Sequence, residues 1–250
     1  MGYDAFLIGE HLMAAREPGA ALETLLQESA AGHGGRAGSL ARLGVKICGI
    51  TSLEDARVAV DAGADAVGFV LWPGSPRYVS RETARDIAAA LPPFVSRVGV
   101  FVDPTSDELR DAAEEIGLDV LQLHGNEDLD TLAPLPRRVL KAVRVGPGFD
   151  PEEALRHEGR VAGVLLDAKA EGGLPGGTGR TFDWSLVRGV RLRGSYVVLA
   201  GGLTPENVAG AVKLVRPDAV DVSSGVESSP GRKDPRKIRA FISAARGERA

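Results

Sequence analysis

From Val45 onward, short apolar runs punctuate the chain: VKICGI, DAVGFVL, RVGVFV, DVLQLH, RVLKAVRV, VAGVLLD, YVVLAGG and DAVDVSSGV. They recur at intervals of about 20 to 30 residues and are mostly apolar rather than strictly alternating, which predicts strands of a parallel sheet buried on both faces. The segments between them carry helical periodicity. Leu109, Ala112, Ala113 and Ile116 fall at i, i+3, i+4, i+7, as do Ile238, Phe241, Ile242 and Ala245. Four helix starts read as a capping residue followed by proline: Asp103-Pro104, Asp150-Pro151, Thr204-Pro205 and Asp234-Pro235. A fifth, Thr51-Ser52-Leu53-Glu54, reads as a capping box after the first strand.

Eight alternations of strand and helix predict an α/β protein, a closed (β/α)8 TIM barrel. A doubly wound open sheet is the rival. It usually carries a glycine-rich nucleotide turn after strand one, where this chain has CGITSLED. In a barrel the site lies at the C-terminal strand ends. Those ends are polar or glycine-rich: Cys48-Gly49, Gln122-Leu123-His124-Gly125, Asp167, Gly201-Gly202 and Ser223-Ser224-Gly225.

Composition narrows the class of chemistry. The 250 residues, 44% hydrophobic and 26% charged, suit one soluble globular domain with or without an appendage. The longest uncharged stretch, residues 194–205, falls well short of the roughly 20 apolar residues of a membrane span. The expectation is therefore a cytoplasmic protein without a membrane segment. Thirty Lys and Arg against 34 Asp and Glu, with no basic tract, argue against a nucleic-acid surface. One cysteine allows no internal disulfide and no Cys-built metal site, and the four histidines are scattered. No dinucleotide fingerprint and no Ser-His-Asp spacing appear, so no metal or other cofactor is expected.

Strand alternation puts Lys46, Cys48 and Ile50 on one face and Val45 and Ile47 on the other; with the apolar pair toward the helices, Lys46 and Cys48 point into the barrel. Cys48 is then a small buried hydrophobe or a working thiol whose thiolate fraction Lys46 raises. Lys46 equally suits a structural pair with Asp221. Asp167 ends the run Val164-Leu165-Leu166, where a carboxylate must be hydrogen-bonded as a cap or used chemically. The loop after it holds Gly172, Gly173, Gly176, Gly177 and Gly179, suited to closing over a ligand or to a flexible connection. The glycine turns at Gly201, Gly202 and Ser223, Ser224, Gly225 suit phosphate binding or simple chain reversal. Gln122 and His124 share a face and suit substrate hydroxyls or a satisfied interior pair. Arg77, in SPRY, suits a surface ion pair or a second anionic group of a substrate. An acid, a base, a phosphate cradle and a cation describe a sugar-phosphate isomerase better than a hydrolase.

From about Val45 to Ala245 the chain resembles the phosphoribosylanthranilate isomerase family of tryptophan biosynthesis, through VKICGIT, GADAVGFV, SPRYVS, VGVFVD, LQLHGNE, GGTGRTFDWSL, LAGGLTPENV and VDVSSGVESSPGRKD. The resemblance implies an Amadori rearrangement of N-(5-phosphoribosyl)anthranilate to 1-(2-carboxyphenylamino)-1-deoxyribulose 5-phosphate. It implies Cys48 as general base, Asp167 as general acid, Arg77 on the anthranilate carboxylate, and Gly202, Ser223, Ser224 and Gly225 at the phosphate. Another phosphosugar barrel is the competing enzyme class; the histidine-pathway isomerase would use paired aspartates instead. An inactive barrel that docks a neighbouring enzyme is the non-enzymatic alternative. Residues 1–44 fall outside the family. Residues 2–26 resemble the closing strand and helix of indole-3-glycerol phosphate synthase, and AAGHGGRAGS reads as a linker. The expected domains are thus an extension over 1–44, with a helix over residues 12–28 broken near Pro18, and a barrel over 45–250. The expected partners are a phosphosugar substrate and that synthase, with a monomer or a homodimer both open.

Overall fold

The computed structural model describes residues 42–132, 134–169 and 181–247. The chain divides into two units, Met1–Arg42 and Leu43–Ala250. The expected helix over residues 12–28 lies outside the described residues.

Eight strands close a parallel barrel in chain order: β1 (Gly44–Cys48), β2 (Ala66–Val70), β3 (Ser96–Phe101), β4 (Val120–Leu123), β5 (Arg138–Val145), β6 (Gly163–Ala168), β7 (Tyr196–Leu199) and β8 (Ala219–Val222). β1 and β8 complete the ring, with Lys46 opposite Asp221. Each strand coincides with one of the apolar runs. The outward positions, among them Val45, Ile47, Val164, Leu166 and Val220, merge with the helices into one large core. Inward-facing Leu140, Ala142, Leu165, Val198 and Ala200 form a second, small cluster inside the barrel. That division is the expected one for strands covered on both faces.

The covering helices are α1 (Leu53–Asp61), α2 (Arg81–Ala89), α3 (Ser106–Ile116), α4 (Glu152–Leu155), α5 (Val208–Val215) and α6 (Pro235–Arg246). The buried faces of α3 and α6 are the two quartets read from periodicity. Burial of a side chain such as Leu109 or Phe241 contributes about 1.5–3 kcal/mol. Asp234 caps α6 as expected, accepting from the Arg236 and Lys237 amides with Pro235 at the first turn.

Other boundaries move. Helix α3 starts at Thr105, which forms a capping box with Glu108, rather than at Asp103. Asp103 sits at φ +47°, and its carboxylate accepts from the Asn126 amide at 2.7 Å, joining the loops after β3 and β4. Ser52, not Thr51, caps α1; the Thr51 hydroxyl instead donates to the Gly231 carbonyl at 2.6 Å. After Thr204-Pro205 the chain first makes a turn, with Asn207 Oδ1 accepting from the Thr204 amide at 2.7 Å, and α5 begins at Val208.

The alternation is also less complete than eight strand and helix pairs. Among the described residues no helix joins β4 to β5, α4 is a single turn, and β6 leads to β7 through a 3-10 turn, Trp184–Val187. Pro134 and Pro136 interrupt the β4–β5 connection, each lacking the amide a helix interior requires. Leu129, Leu132 and Leu135 cover the core there without a helix. A short antiparallel hairpin, β9 (Glu227–Ser229) with β10 (Arg232–Lys233), lies between β8 and α6.

Candidate active site

Lys46 and Cys48 are buried and point into the barrel, as alternation requires. Ile50 does not join them. Gly49 at φ +72° turns the chain after Cys48, and Ile50 packs in the outer core. Gly68, opposite Cys48 in the β1–β2 register, makes room for both: a β-carbon there would stand 2.8 Å from Cys48 Sγ and 3.0 Å from Lys46 Cε. Lys46 Nζ meets Asp221 Oδ1 at 3.0 Å, the pairing read from the sequence.

Burial pushes the Cys48 thiol above its ordinary value. Lys46 and Lys233 pull it down and Asp221 pushes it up, but burial outweighs the lysines. Lys46 thus acts in the expected direction, raising the thiolate fraction, but does not overcome the burial. Burial also disfavours the charge on Lys46 itself, but Asp221 and Cys48 overcome it and lift the ammonium above the usual lysine range.

Across the barrel, Asp167 is buried at the end of β6. Its Oδ1 accepts from the Ala168 amide at 2.9 Å, and Oδ2 lies 3.1 Å from His124 Nε2. His124 Nδ1 lies 3.2 Å from Gln122 Nε2, while Gln122 Oε1 is buried with no partner. Gln122, His124 and Asp167 thus form one hydrogen-bonded row from β4 to β6.

Arg77 is buried, not a surface cation. Its Nε and Nη2 donate to Oε1 and Oε2 of Glu227, both at 2.8 Å. Lys233 Nζ donates to the same Glu227 at 3.0 Å and to the Ser223 carbonyl at 3.2 Å. Burial raises the Glu227 carboxyl, but Arg77 and Lys233 outweigh it and hold it below the usual carboxylate range. Burial lowers Lys233, and Glu227 only partly offsets this. Gly201 and Gly202 adopt φ +81° and +63°, and Ser223 leads into a 3-10 turn over Ser224–Val226. A β-carbon on Gly225 would lie 1.9 Å from the Leu203 carbonyl oxygen, so glycine is what lets the β7 and β8 loops touch.

The described residues therefore bring Cys48, Asp167, Gln122 and His124 to the C-terminal end of the barrel, beside the paired glycine turns of β7 and β8. The glycine-rich loop after Asp167 lies outside the described residues. Sequence reading missed Glu227 and Lys233. Both lie inside the motif SSGVESSPGRKD, and the available signal was a Lys and a Glu in a stretch too short to be a helix. It also missed Arg144, opposite Asp167 in the β5–β6 register. Among the described residues no group of three or more His, Cys, Asp or Glu is arranged to hold a metal, and no helix is long and apolar enough to cross a membrane.

A model of the N-(5'phosphoribosyl)anthranilate (PRA) isomerase family matches residues 45–244. The chain belongs to that family. An N-(5'-phosphoribosyl)anthranilate isomerase of Thermotoga maritima is 52% identical over 205 residues, spanning 81% of this chain and 98% of the relative. A solved structure of monomers generated from the dimeric isomerase of Thermotoga maritima is 47% identical with a TM-score of 0.71, covering 82% of this chain and 99% of its own. A solved phosphoribosyl anthranilate isomerase in complex with reduced 1-(o-carboxyphenylamino)-1-deoxyribulose 5-phosphate is 48% identical with a TM-score of 0.72, at 82% and 99% coverage. The isomerase family thus accounts for the barrel from its first strand to its last helix.

Proposed function

We propose that this chain catalyses the Amadori rearrangement of N-(5-phosphoribosyl)anthranilate in tryptophan biosynthesis, with Asp167 as general acid and Cys48 as general base. The observation that carries this reading is a buried thiol on β1 and a buried carboxylate on β6, both inward at the same end of the barrel. Asp167 gives a proton to the ribose ring oxygen as the C1–O bond breaks, leaving a positively charged imine at C1. That charge acidifies C2–H, and the Cys48 thiolate removes the C2 proton to give the enaminol, which tautomerises to the aminoketose. His124, 3.1 Å from Asp167, orients the acid. Lys46 offsets part of the cost of the Cys48 thiolate, and Asp221 holds Lys46 in place.

Arg77 receives the anthranilate carboxylate while Glu227 fixes its guanidinium plane, and Gly201, Gly202, Ser223, Ser224 and Gly225 receive the phosphate. Gln122, in the row with His124, faces substrate hydroxyls. The substrate class follows the family, supported by the product-like ligand bound to the relative described above. The dimeric Thermotoga maritima enzyme supports a homodimer over a monomer, which sedimentation decides. A cytoplasmic setting and an association of residues 1–44 with indole-3-glycerol phosphate synthase complete the reading; co-purification with the synthase tests the latter.

The test is a coupled assay on freshly made phosphoribosylanthranilate. Cys48→Ser and Asp167→Asn are each expected to reduce turnover by at least about 10², the lower end for loss of a general acid or base. Near-normal turnover in either variant removes that residue from its role.

A further inference from the structure

Beside the proposed catalytic centre, and sharing none of Cys48, Asp167, Arg77 or Ser223, a cavity of about 490 Å³ opens between the loops after β4 and β5 and the turn of α4. That volume lies in the range of small-molecule sites. Among the described residues the β4–β5 connection has no helix and α4 is a single turn, so little covers β5 where the cavity opens. Its floor is rigid. Lys141, buried on β5, donates to Glu127 at 2.7 Å and to the Gly125 carbonyl at 2.9 Å, so this pair is internally satisfied.

The remaining charges are not. Arg156 and Lys169 line the cavity, and Arg144, on the inward face of β5 opposite Asp167, borders it from the barrel mouth; among the described residues none of these three side chains has a hydrogen-bond or ion-pair partner. Gly146 lets Lys169 lie over the β5 loop, since a β-carbon there would already stand 3.2 Å from Lys169 Cβ. One carboxylate, Glu153, faces these three cations. Counting Lys141 and Glu127, the lining carries four cations and two carboxylates, a local excess of positive charge on a chain whose net charge is −4. A second, independent feature marks the same wall. His157 Nδ1 is buried and has no hydrogen-bond partner. Burial, then the charges of Lys141, Arg156 and Arg160, hold the His157 imidazole below its ordinary value. Arg160 is itself paired with Asp130. The cavity thus gathers these cations in one concave place, which raises the local concentration of anions.

We propose that this cavity is a second anion site, binding a small dianion through Arg144, Arg156, Lys169 and His157. A dianion neutralises the excess charge of the wall, and its oxygens accept from guanidinium, ammonium and imidazolium donors that otherwise go unused. Two sources share this chemistry, a phosphate group and a dicarboxylate. The inference does not depend on the reaction proposed above, because its readout is a side chain outside the catalytic centre.

The experiment is nuclear magnetic resonance of the histidine rings in the full-length protein. Four histidines make the spectrum tractable, and His157→Gln identifies the signal. Inorganic phosphate and succinate are titrated separately, each against sodium chloride at matched ionic strength. The expected result is a saturable displacement of the His157 ring with at least one of the two and an upward move of its pKa, because a bound anion favours the imidazolium. Arg156→Ala, which removes an exposed side chain and no ion pair, is expected to weaken that binding about tenfold, the effect of one charge-assisted contact. Saturation by phosphate alone assigns a phosphate ligand, and saturation by succinate assigns a dicarboxylate. No displacement, or one that chloride reproduces, overturns the proposal. A displacement that Arg156→Ala leaves unchanged overturns the assigned site. Competition by phosphate in the isomerase assay is expected to be the same in Arg156→Ala and the parent chain, which separates this cavity from the β7–β8 turns.

Discussion

Cys48 is held as a thiol by its burial, and a base must first lose its proton. Its folded value lies above the ordinary thiol value of about 8.5. The thiolate fraction therefore grows tenfold per pH unit through neutrality, and kcat/KM is expected to climb on the alkaline side rather than level off. A plateau reached below pH 7 would sink the assignment of Cys48 as base. Glu227 works in the opposite direction on stability. Arg77 and Lys233 hold its folded pKa below the unfolded value of about 4.3, so its contribution is complete above that value and is lost as pH falls through the folded one. Glu227→Gln is expected to flatten the acid limb of the stability curve, measured by urea unfolding between pH 3 and 6. Arg77→Ala removes both of its hydrogen bonds to Glu227 and leaves that carboxylate to Lys233 and the Gly231 amide. It is expected to raise KM and to cost about 3 kcal/mol of stability, the lower end for breaking a buried pair. Arg77→Lys keeps the charge but loses the fork, and falls between.

At the scale of elements, two glycines separate geometric need from conformational accident. Gly225→Ala drives a β-carbon toward the Leu203 carbonyl, parts the β7 and β8 loops, and is expected to raise KM while leaving most of the barrel folded. Gly210, within α5, has open space around it, and Gly210→Ala is expected to stabilise by about 0.5–1 kcal/mol in thermal unfolding. The strands and the buried quartets of α3 and α6 were legible because local apolar pattern is what a strand or helix face consists of. The start of α3 was misread at Asp103 because an Asp-Pro pair satisfies the same preference as the Thr105–Glu108 box two residues on. That the described residues after β4 hold no helix followed from prolines at 134 and 136 that a count of alternations passed over. The Arg77–Glu227–Lys233 group was not legible at all. Arg77 and Glu227 are separated by 150 positions, and no periodicity records a contact of that range. Cys48, Asp167 and His124 were legible as strand ends, but the 3.1 Å contact that joins two of them was not.

At the scale of the whole molecule, the family match begins at residue 45. A chain lacking residues 1–42 is therefore expected to fold and to keep its isomerase turnover, checked by circular dichroism and the same coupled assay; loss of folding would make that segment part of the barrel. The ring itself closes through β1 and β8, where Lys46 reaches Asp221 across 175 positions of sequence. During synthesis on the ribosome, the first strand therefore waits for nearly the entire chain before it has a neighbour on both sides. The proposed base sits on that strand, so a nascent or truncated chain ending before Asp221 holds most of the barrel's residues but leaves β1 without its second neighbour.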